Sequence, residues 1–130
     1  MRFNLILVAS LSMSVTAALQ PSKRASNATT DDGFVLNFAL TNEYVQRAFY
    51  EGGLASFNQT DFVTAGFENP FYDNLQQIYS DEQSHAALLH NVLVAAGIQA
   101  TTSLQYDFPY VDVSSFVALA SIIAGVSVSA

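Results

Sequence analysis

The stretch FYDNLQQIYSDEQSHAALLHNVLVAA, residues 71–96, decides the fold of this chain. Its apolar residues recur in alternating steps of four and three, a spacing that keeps side chains on one face of a helix. The seam comprises Phe71, Leu75, Ile78, Glu82, His85, Leu89, Val92 and Ala96. Glu82 and His85 lie at i and i+3 in its middle. A carboxylate and an imidazole in a bundle core need partners, and a metal ion is one such partner.

A first helix is predicted before this stretch. Asp31-Asp32 supplies N-cap chemistry, and the helix runs to about Glu51, where Gly52-Gly53 ends it. Apolar residues lie around much of its circumference, which predicts burial on more than one side. Between the two helices, residues 54–69 are irregular, with a short helical turn near residues 60–65.

The central helix has start and stop signals, and a third helix follows it. Asn69-Pro70 combines a capping residue with proline at the first helical position, and Ala96-Gly97 marks the end. Residues 98–112 form a loop folded back over the bundle, and an apolar helix starts at residues 112–115 and runs to the end of the sequence. Strand patterns are poor throughout, so the fold class is all-α.

The first eighteen residues have the pattern of a secretory signal peptide. Arg2 precedes an apolar run from Leu5 to Val15, and small residues follow, with cleavage expected after Ala17 or Ala18. The run is too short for a comfortable membrane span. The sequence therefore predicts export and a secreted, extracellular protein.

Residues 19–31 are predicted to be a linker or a propeptide. Lys23-Arg24 within it is either a dibasic processing site or a pair of solvated charges. Asn27 and Asn58 each begin an N-glycosylation acceptor pattern, Asn-x-Thr. Together with the export signal, these two sites predict a glycoprotein.

Composition limits the partners of the chain. A chain starting at Ala25 contains eleven acidic residues against Arg47 alone, a net charge of −10. This charge argues against nucleic acid and anionic membrane surfaces as partners, and it permits a cation ligand. No cysteine is present, so stability must come from a packed core, a metal ion, a partner chain or a combination of these.

Three segments resemble the secreted ferritin-like domain family, which includes plant desiccation-related proteins and fungal stress-response proteins. They are NFALTNEYVQRAFYEGGL (37–54), SDEQSH (80–85) and YDFPYVDVSSFVALASIIAGVSVSA (106–130). The similarity covers residues 32–130 and implies a ferritin-like antiparallel helical bundle, represented here by two full helices and most of a third.

The resemblance also implies a di-metal carboxylate site. Glu43 would be the single carboxylate of the first helix, and Glu82 with His85 would be the Glu-x-x-His pair of the second. Carboxylates and an imidazole suit iron or manganese. After Asp112 the chain has no Asp, Glu or His, and Ala124 stands near a position that often holds a carboxylate in the family. Three ligands of about six argue against independent ferroxidase turnover.

Other interpretations of these residues stay open at this stage. Glu43 and Arg47 have the spacing of an ordinary i,i+4 ion pair, and Asp81 lies four residues before His85. His90 falls off the seam and is predicted to be a surface residue. The tyrosines are predicted to pack in the core and at its rim rather than to relay electrons. They are Tyr44, Tyr50, Tyr72 and Tyr79.

The expected bundle and the apolar C-terminal run bear on partners and function. Three helices without a fourth expose an apolar face, which predicts self-association, a completing helix, or a truncated sequence. As an alternative to a third helix, residues 116–130 have the general shape of a lipid-anchor signal. In that interpretation the lipid would be attached at residues 101–103. Two functions remain: a metal-dependent or metal-storing protein completed by dimerisation, and a non-catalytic structural or protective protein on the same scaffold.

Overall fold

The computed structural model describes residues 30–129, which form three long helices and one short one. In chain order the helices are α1 (Thr30–Ser56), α2 (Gln59–Thr64), α3 (Phe71–Ala95) and α4 (Val113–Ser129). No strand occurs in this part of the chain, which confirms the all-α class. The predicted signal peptide, Lys23-Arg24 and Asn27 lie outside the described residues.

Helices α1 and α3 form an antiparallel pair. The start of α1 lies beside the residues after α3, since Gly33 contacts Ile98. Further along, a buried cluster joins Leu40 and Tyr44 of α1 to Ala86 and Leu93 of α3. These apolar side chains leave water together, so the two helices stabilise each other, although Ala86 and Leu93 lie beside the predicted seam and not on it.

The first helix is longer than the sequence predicted. It was expected to end at Gly52-Gly53, and this expectation is wrong, because α1 continues to Ser56. Gly53 is buried against the ring of Phe116 from α4, so that a Cβ at this position would collide with the ring. The glycine therefore permits close helix packing here and does not act as a stop signal.

The seam of α3 is buried only in part. Leu75 is 5% exposed, whereas Val92 is 41% exposed, and Leu93 is fully buried in its place. An α-helix has 3.6 residues per turn, so a repeat of 3.5 drifts by about 20° per heptad around the helix. The prediction is correct for the first half of the seam, from Phe71 to Glu82, and wrong for His85, Val92 and Ala96, which are exposed.

The ends of α3 differ from each other in how well they were predicted. At the start, Pro70 occupies the N-cap position and not the predicted first helical position. Asn69 does not cap the helix, because its side-chain oxygen accepts a hydrogen bond from Gln59 at 2.8 Å. At the other end, Gly97 has φ +70°. The amides of Gly97 and Ile98 bond back to the last turn, a Schellman-type ending that confirms the predicted stop.

The connection between α3 and α4 runs the length of α1. It begins where the side-chain nitrogen of Asn37 donates to the carbonyl oxygen of Gln99 at 3.0 Å, and Asn37 accepts from the amide of Thr101. It ends beside the other half of α1, where Tyr110 contacts Gly52. The predicted loop thus folds back over the bundle, as in ferritin-like bundles with one long crossover.

Helix α4 begins beside the C-terminal half of α1, in an aromatic core. The ring of Phe116 stacks on Phe49 with centroids 4.6 Å apart, and Phe62 of α2 packs edge-on against Phe116. Asp112 starts the helix by accepting from the amide of Ser115 at 2.7 Å, while Ser115 accepts from the amide of Asp112. These contacts confirm the predicted start of the last helix and the predicted helical turn in residues 60–65.

The N-terminal half of α1 carries exposed apolar side chains. Phe34 is 72% exposed and Phe38 is 51% exposed. Burial on more than one side was predicted for the whole helix, and it holds only near Phe49 and Gly53, where α4 covers α1. Among the helices described, none combines the length and apolar character needed to cross a membrane.

Candidate metal centre

Helices α1 and α3 bring the three predicted ligand residues together. The Nδ1 atom of His85 lies 3.6 Å from Glu43 Oε2 and 3.8 Å from Glu82 Oε2. One ligand atom from each residue falls within 4.8 Å of the other two. The Glu43 and Glu82 side chains are 19% and 12% exposed, while His85 is 56% exposed. The site therefore has a partly buried carboxylate side and an open imidazole side.

Burial changes the acidity of the carboxylates. Removal from water raises the pKa of Glu82 to about 8, and the nearby carboxyl groups of Glu43 and Asp81 add to this rise. Two acid groups this close cannot both ionise without cost, because each negative charge disfavours the other. In the metal-free protein the pair therefore retains a proton near neutral pH.

The donor set fits a small divalent cation. The Oε2 atoms of Glu43 and Glu82 are buried, and apart from the proton that the two carboxyl groups can share, no hydrogen-bond donor from the described residues reaches either of them. A buried carboxylate oxygen needs a proton, a donor or a cation. Oxygen and imidazole ligands lie about 2.0–2.2 Å from such an ion, which places neighbouring ligands roughly 3.0–3.5 Å apart. The separations of 3.6 and 3.8 Å from His85 Nδ1 are wider than this, so the side chains would have to move closer together to hold an iron or manganese ion.

Arg47 does not pair with Glu43, contrary to one of the alternatives left open by the sequence. Its guanidinium carbon lies over the ring of Tyr44, 5.2 Å from the centroid, and its charge also acts on Tyr79. A cation held over an aromatic face is partly stabilised there. The guanidinium thus leaves the carboxylates of Glu43 and Glu82 available to a different cation.

The structure also decides between the remaining interpretations of His85. Asp81 accepts a hydrogen bond from Gln77 at 2.8 Å, while His85 faces Glu43 and Glu82. His90 is exposed on α3, as predicted. The imidazole of His85 is therefore the one that joins the carboxylate pair.

Tyr50 is the buried phenol beside this site. It is 4% exposed, and burial raises its pKa to about 12, with the charge of Glu82 contributing. A phenol with this pKa stays protonated at physiological pH. Tyr50 and Tyr44 both belong to the buried core, in agreement with the packing role that the sequence predicted for them.

Sequence reasoning missed two polar residues that shape the surroundings of the site. Asn37 ties the crossover to α1 through its bonds to Gln99 and Thr101. Gln46 is 8% exposed and lies one turn beyond Glu43. Both residues are polar and lie on the otherwise apolar circumference of α1. This pattern could have identified them from the sequence, since a buried polar side chain needs a hydrogen-bond partner.

Helix α4 adds no ligand within its described length. Its sequence contains no Asp, Glu or His, and Ala124 is exposed. The described residues contribute one single carboxylate and one Glu-x-x-His pair, which is half of the ligand set of a ferritin-like di-metal centre.

The fold and the site together define a class. An antiparallel helix pair, one long crossover and inward carboxylates with a Glu-x-x-His pair are the features of ferritin-like helical bundles. This chain belongs to the ferritin-like domain family, whose sequence profile matches residues 31–130. No curated protein matches the chain significantly.

Proposed function

We propose that this protein binds a divalent transition metal, iron or manganese, through Glu43, Glu82 and His85. The observation that carries the proposal is the convergence of three donor atoms within 4.8 Å. In addition, the Oε2 atoms of Glu43 and Glu82 are buried, and no third group in the described part of the chain donates a hydrogen bond to them. Structural ion pairs ordinarily satisfy their buried oxygens, whereas ligand sites leave them for the ion.

Each residue has a distinct part in this function. Glu43 and Glu82 supply negative charge on the buried side, and His85 supplies a neutral nitrogen on the open side. A bound iron or manganese ion would supply redox and Lewis-acid chemistry at its remaining coordination positions. Because the described residues give half of a di-metal ligand set, we assign metal binding and do not assign ferroxidase turnover to the single chain.

Calorimetry with Mn²⁺ and spectroscopy with Co²⁺ on the full chain test the proposal. We expect binding in the wild-type protein and its loss in Glu82→Gln and His85→Ala. His90→Ala is the matched control, because His90 is exposed on the same helix. Circular dichroism checks that helicity is retained. A helical wild-type chain that binds neither ion would contradict the proposal and would favour the structural or protective role.

We further propose that the protein is secreted and belongs to the stress- or desiccation-associated branch of the family. Support comes from the signal-peptide pattern of residues 1–18 and from the three resembling segments. Asn58 is exposed and caps α2, accepting from the amides of Thr60 and Asp61 at 2.9 and 3.2 Å. Its amide group is therefore at the surface, where a glycan can be carried.

Expression in a eukaryotic secretory host tests this second proposal. We expect protein in the medium with a glycan at Asn58 that an N-glycosidase removes. The variant Asn58→Asp should lose the glycan and keep the helix cap, since aspartate caps helices as well as asparagine does. Retention of the full-length chain inside the cell would contradict secretion.

A further inference from the structure

A further carboxylate of α3 lies beside the proposed metal ligands. Asp81 directly precedes Glu82 in the chain and lies four residues before His85. Residues at i and i+4 of a helix share one face, with their Cβ atoms about 5–6 Å apart. Asp81 is exposed, and the side chain of His85 is 56% exposed. Asp81 therefore lies on the imidazole side of the site, the more accessible side within the described part of the chain.

The carboxylate of Asp81 is held in place without being neutralised. Its Oδ1 atom accepts a hydrogen bond from the side-chain nitrogen of Gln77, one turn earlier, at 2.8 Å. An amide donor carries no net charge. Arg47 is the only lysine or arginine in residues 30–129, and its guanidinium lies over Tyr44. Within these residues Asp81 thus has no lysine or arginine partner.

The charge of Asp81 is felt at the ligands. Burial is the main cause of the raised pKa of Glu82, and the charges of Glu43 and then Asp81 add to it. A negative charge that disfavours a carboxylate attracts a cation at the same place, and the attraction is doubled for a divalent ion. Once an ion is bound, Glu43 and Glu82 balance its charge, so Asp81 acts most strongly on an ion that is still arriving.

We propose that Asp81 is a loading residue, which draws a divalent cation from solvent to the imidazole side of the site without becoming one of its ligands. This inference rests on the metal binding proposed above. Charges of one sign beside a binding site raise the local concentration of the oppositely charged ligand and its association rate. The effect of Asp81 should consequently appear in the rate of metal association and not in the bound complex.

Stopped-flow binding of Co²⁺ to the full chain tests the proposal, with the visible absorption of the bound ion as the signal. Asp81→Asn should lower the association rate constant about three- to tenfold at roughly 0.1 M ionic strength. Dissociation into excess chelator and the spectrum of bound Co²⁺ should match the wild type, because the ligands are the same. Asp81→Glu keeps the charge and should restore the rate. In about 1 M salt the difference should vanish, since the Debye length is then about 3 Å.

Asp73→Asn is the matched control. Asp73 is exposed on the same helix, and the substitution removes the same charge. It lies nine residues before Glu82, which is about 13 Å along a helix that rises 1.5 Å per residue. This distance exceeds the Debye length of about 10 Å at 0.1 M ionic strength, so the association rate should change by less than about twofold. Circular dichroism checks that both variants remain helical.

Competition between metal and proton cannot produce the expected result. The charge of Asp81 contributes to the raised pKa of Glu82, so its loss should lower that pKa. A more acidic carboxyl group gives up its proton to a metal ion more readily. This effect favours binding in Asp81→Asn, in the direction opposite to the slower association that we expect.

The outcomes separate this inference from the function on which it rests. Association in Asp81→Asn as fast as in the wild type overturns the loading role. Faster dissociation or an altered Co²⁺ spectrum also overturns it, because Asp81 would then be a ligand. Equal slowing in Asp73→Asn overturns it as well, since net charge and not position would be responsible. In these three cases the metal binding stands. A wild-type chain that binds no Co²⁺ overturns the proposed function and this inference with it.

Discussion

His85 of α3 meets Glu43 of α1 across the helix pair, with Nδ1 and Oε2 3.6 Å apart. This separation is longer than a hydrogen bond, so the two groups are neighbours without being bonded to each other. Glu82 lies at 3.8 Å from the same nitrogen. Both separations are near the spacing of two ligands of one ion, and the burial of Glu82 beside Glu43 has consequences that are measurable in the metal-free protein as well.

The first prediction concerns the pH dependence of stability in chelator. Glu82 has a pKa of about 8 when folded, against 4.5 as its ordinary value. Between these pH values the unfolded chain loses a proton that the folded chain keeps, so the contribution of Glu82 to stability falls as pH rises. The slope approaches about 1.4 kcal/mol per pH unit at most.

Urea unfolding of the wild type and of Glu82→Gln across this pH window measures the effect. The variant mimics the protonated side chain. Its free energy of unfolding relative to that of the wild type should therefore increase as the pH rises through this window. Glu68→Gln is the control, since Glu68 is exposed. A difference between wild type and Glu82→Gln that is the same at every pH would show that Glu82 ionises normally.

The second prediction concerns Arg47. Its guanidinium lies over Tyr44, the neighbour of Glu43 in the chain. Arg47→Gln should strengthen Mn²⁺ binding by roughly two- to tenfold, which corresponds to about 0.5–1.5 kcal/mol of removed repulsion. Calorimetry at low and high salt measures the Mn²⁺ affinities of the variant and the wild type. The difference between them should be smaller at high salt, because salt screens the repulsion. Weaker binding in the variant would mean that Arg47 supports the geometry of the ligands.

The third prediction concerns the contact between α1 and α4. Gly53→Ala places a methyl group against the ring of Phe116 and should cost about 1–3 kcal/mol through overpacking. Gly125→Ala on α4 is the matched control, because apart from its chain neighbours and the nearby backbone of α4 itself, no described residue comes within 4 Å of the added carbon, and it should be neutral or stabilising by about 0.5–1 kcal/mol. Thermal unfolding compares the two. Equal effects would show that α4 does not pack closely on α1.

The fourth prediction concerns the crossover. Asn37→Ala removes the bonds that tie Gln99 and Thr101 to α1 and should destabilise the protein by about 1–3 kcal/mol. Hydrogen exchange at the Thr101 amide should become faster. Asn91→Ala is the control, because Asn91 is exposed on α3. Unchanged exchange at Thr101 would mean that the crossover is held by its apolar contacts alone.

Local patterns in the chain were enough to predict the helical class and the inner face of the central helix. The four-and-three spacing from Phe71 to Glu82 indicates which side chains leave water, because burial of apolar groups is the main driving force of folding. The spacing within α3 also identified Glu82 and His85 as a pair, and the resemblance to the ferritin-like family added Glu43 of α1 as the third candidate ligand. Capping residues such as Asp112 and the stop at Gly97 are local too.

The tertiary structure decided which residues of other helices each side chain contacts. Gly53 has the local signature of a helix end, and only the packing of Phe116 against it shows otherwise. Arg47 has the spacing of a partner for Glu43, but the ring of Tyr44 holds its charge. Val92 fits the core pattern, but the drift of the real helix turns Leu93 inward. These outcomes could not be predicted from local sequence, because the free energy of a side chain depends on neighbours that are remote in the chain.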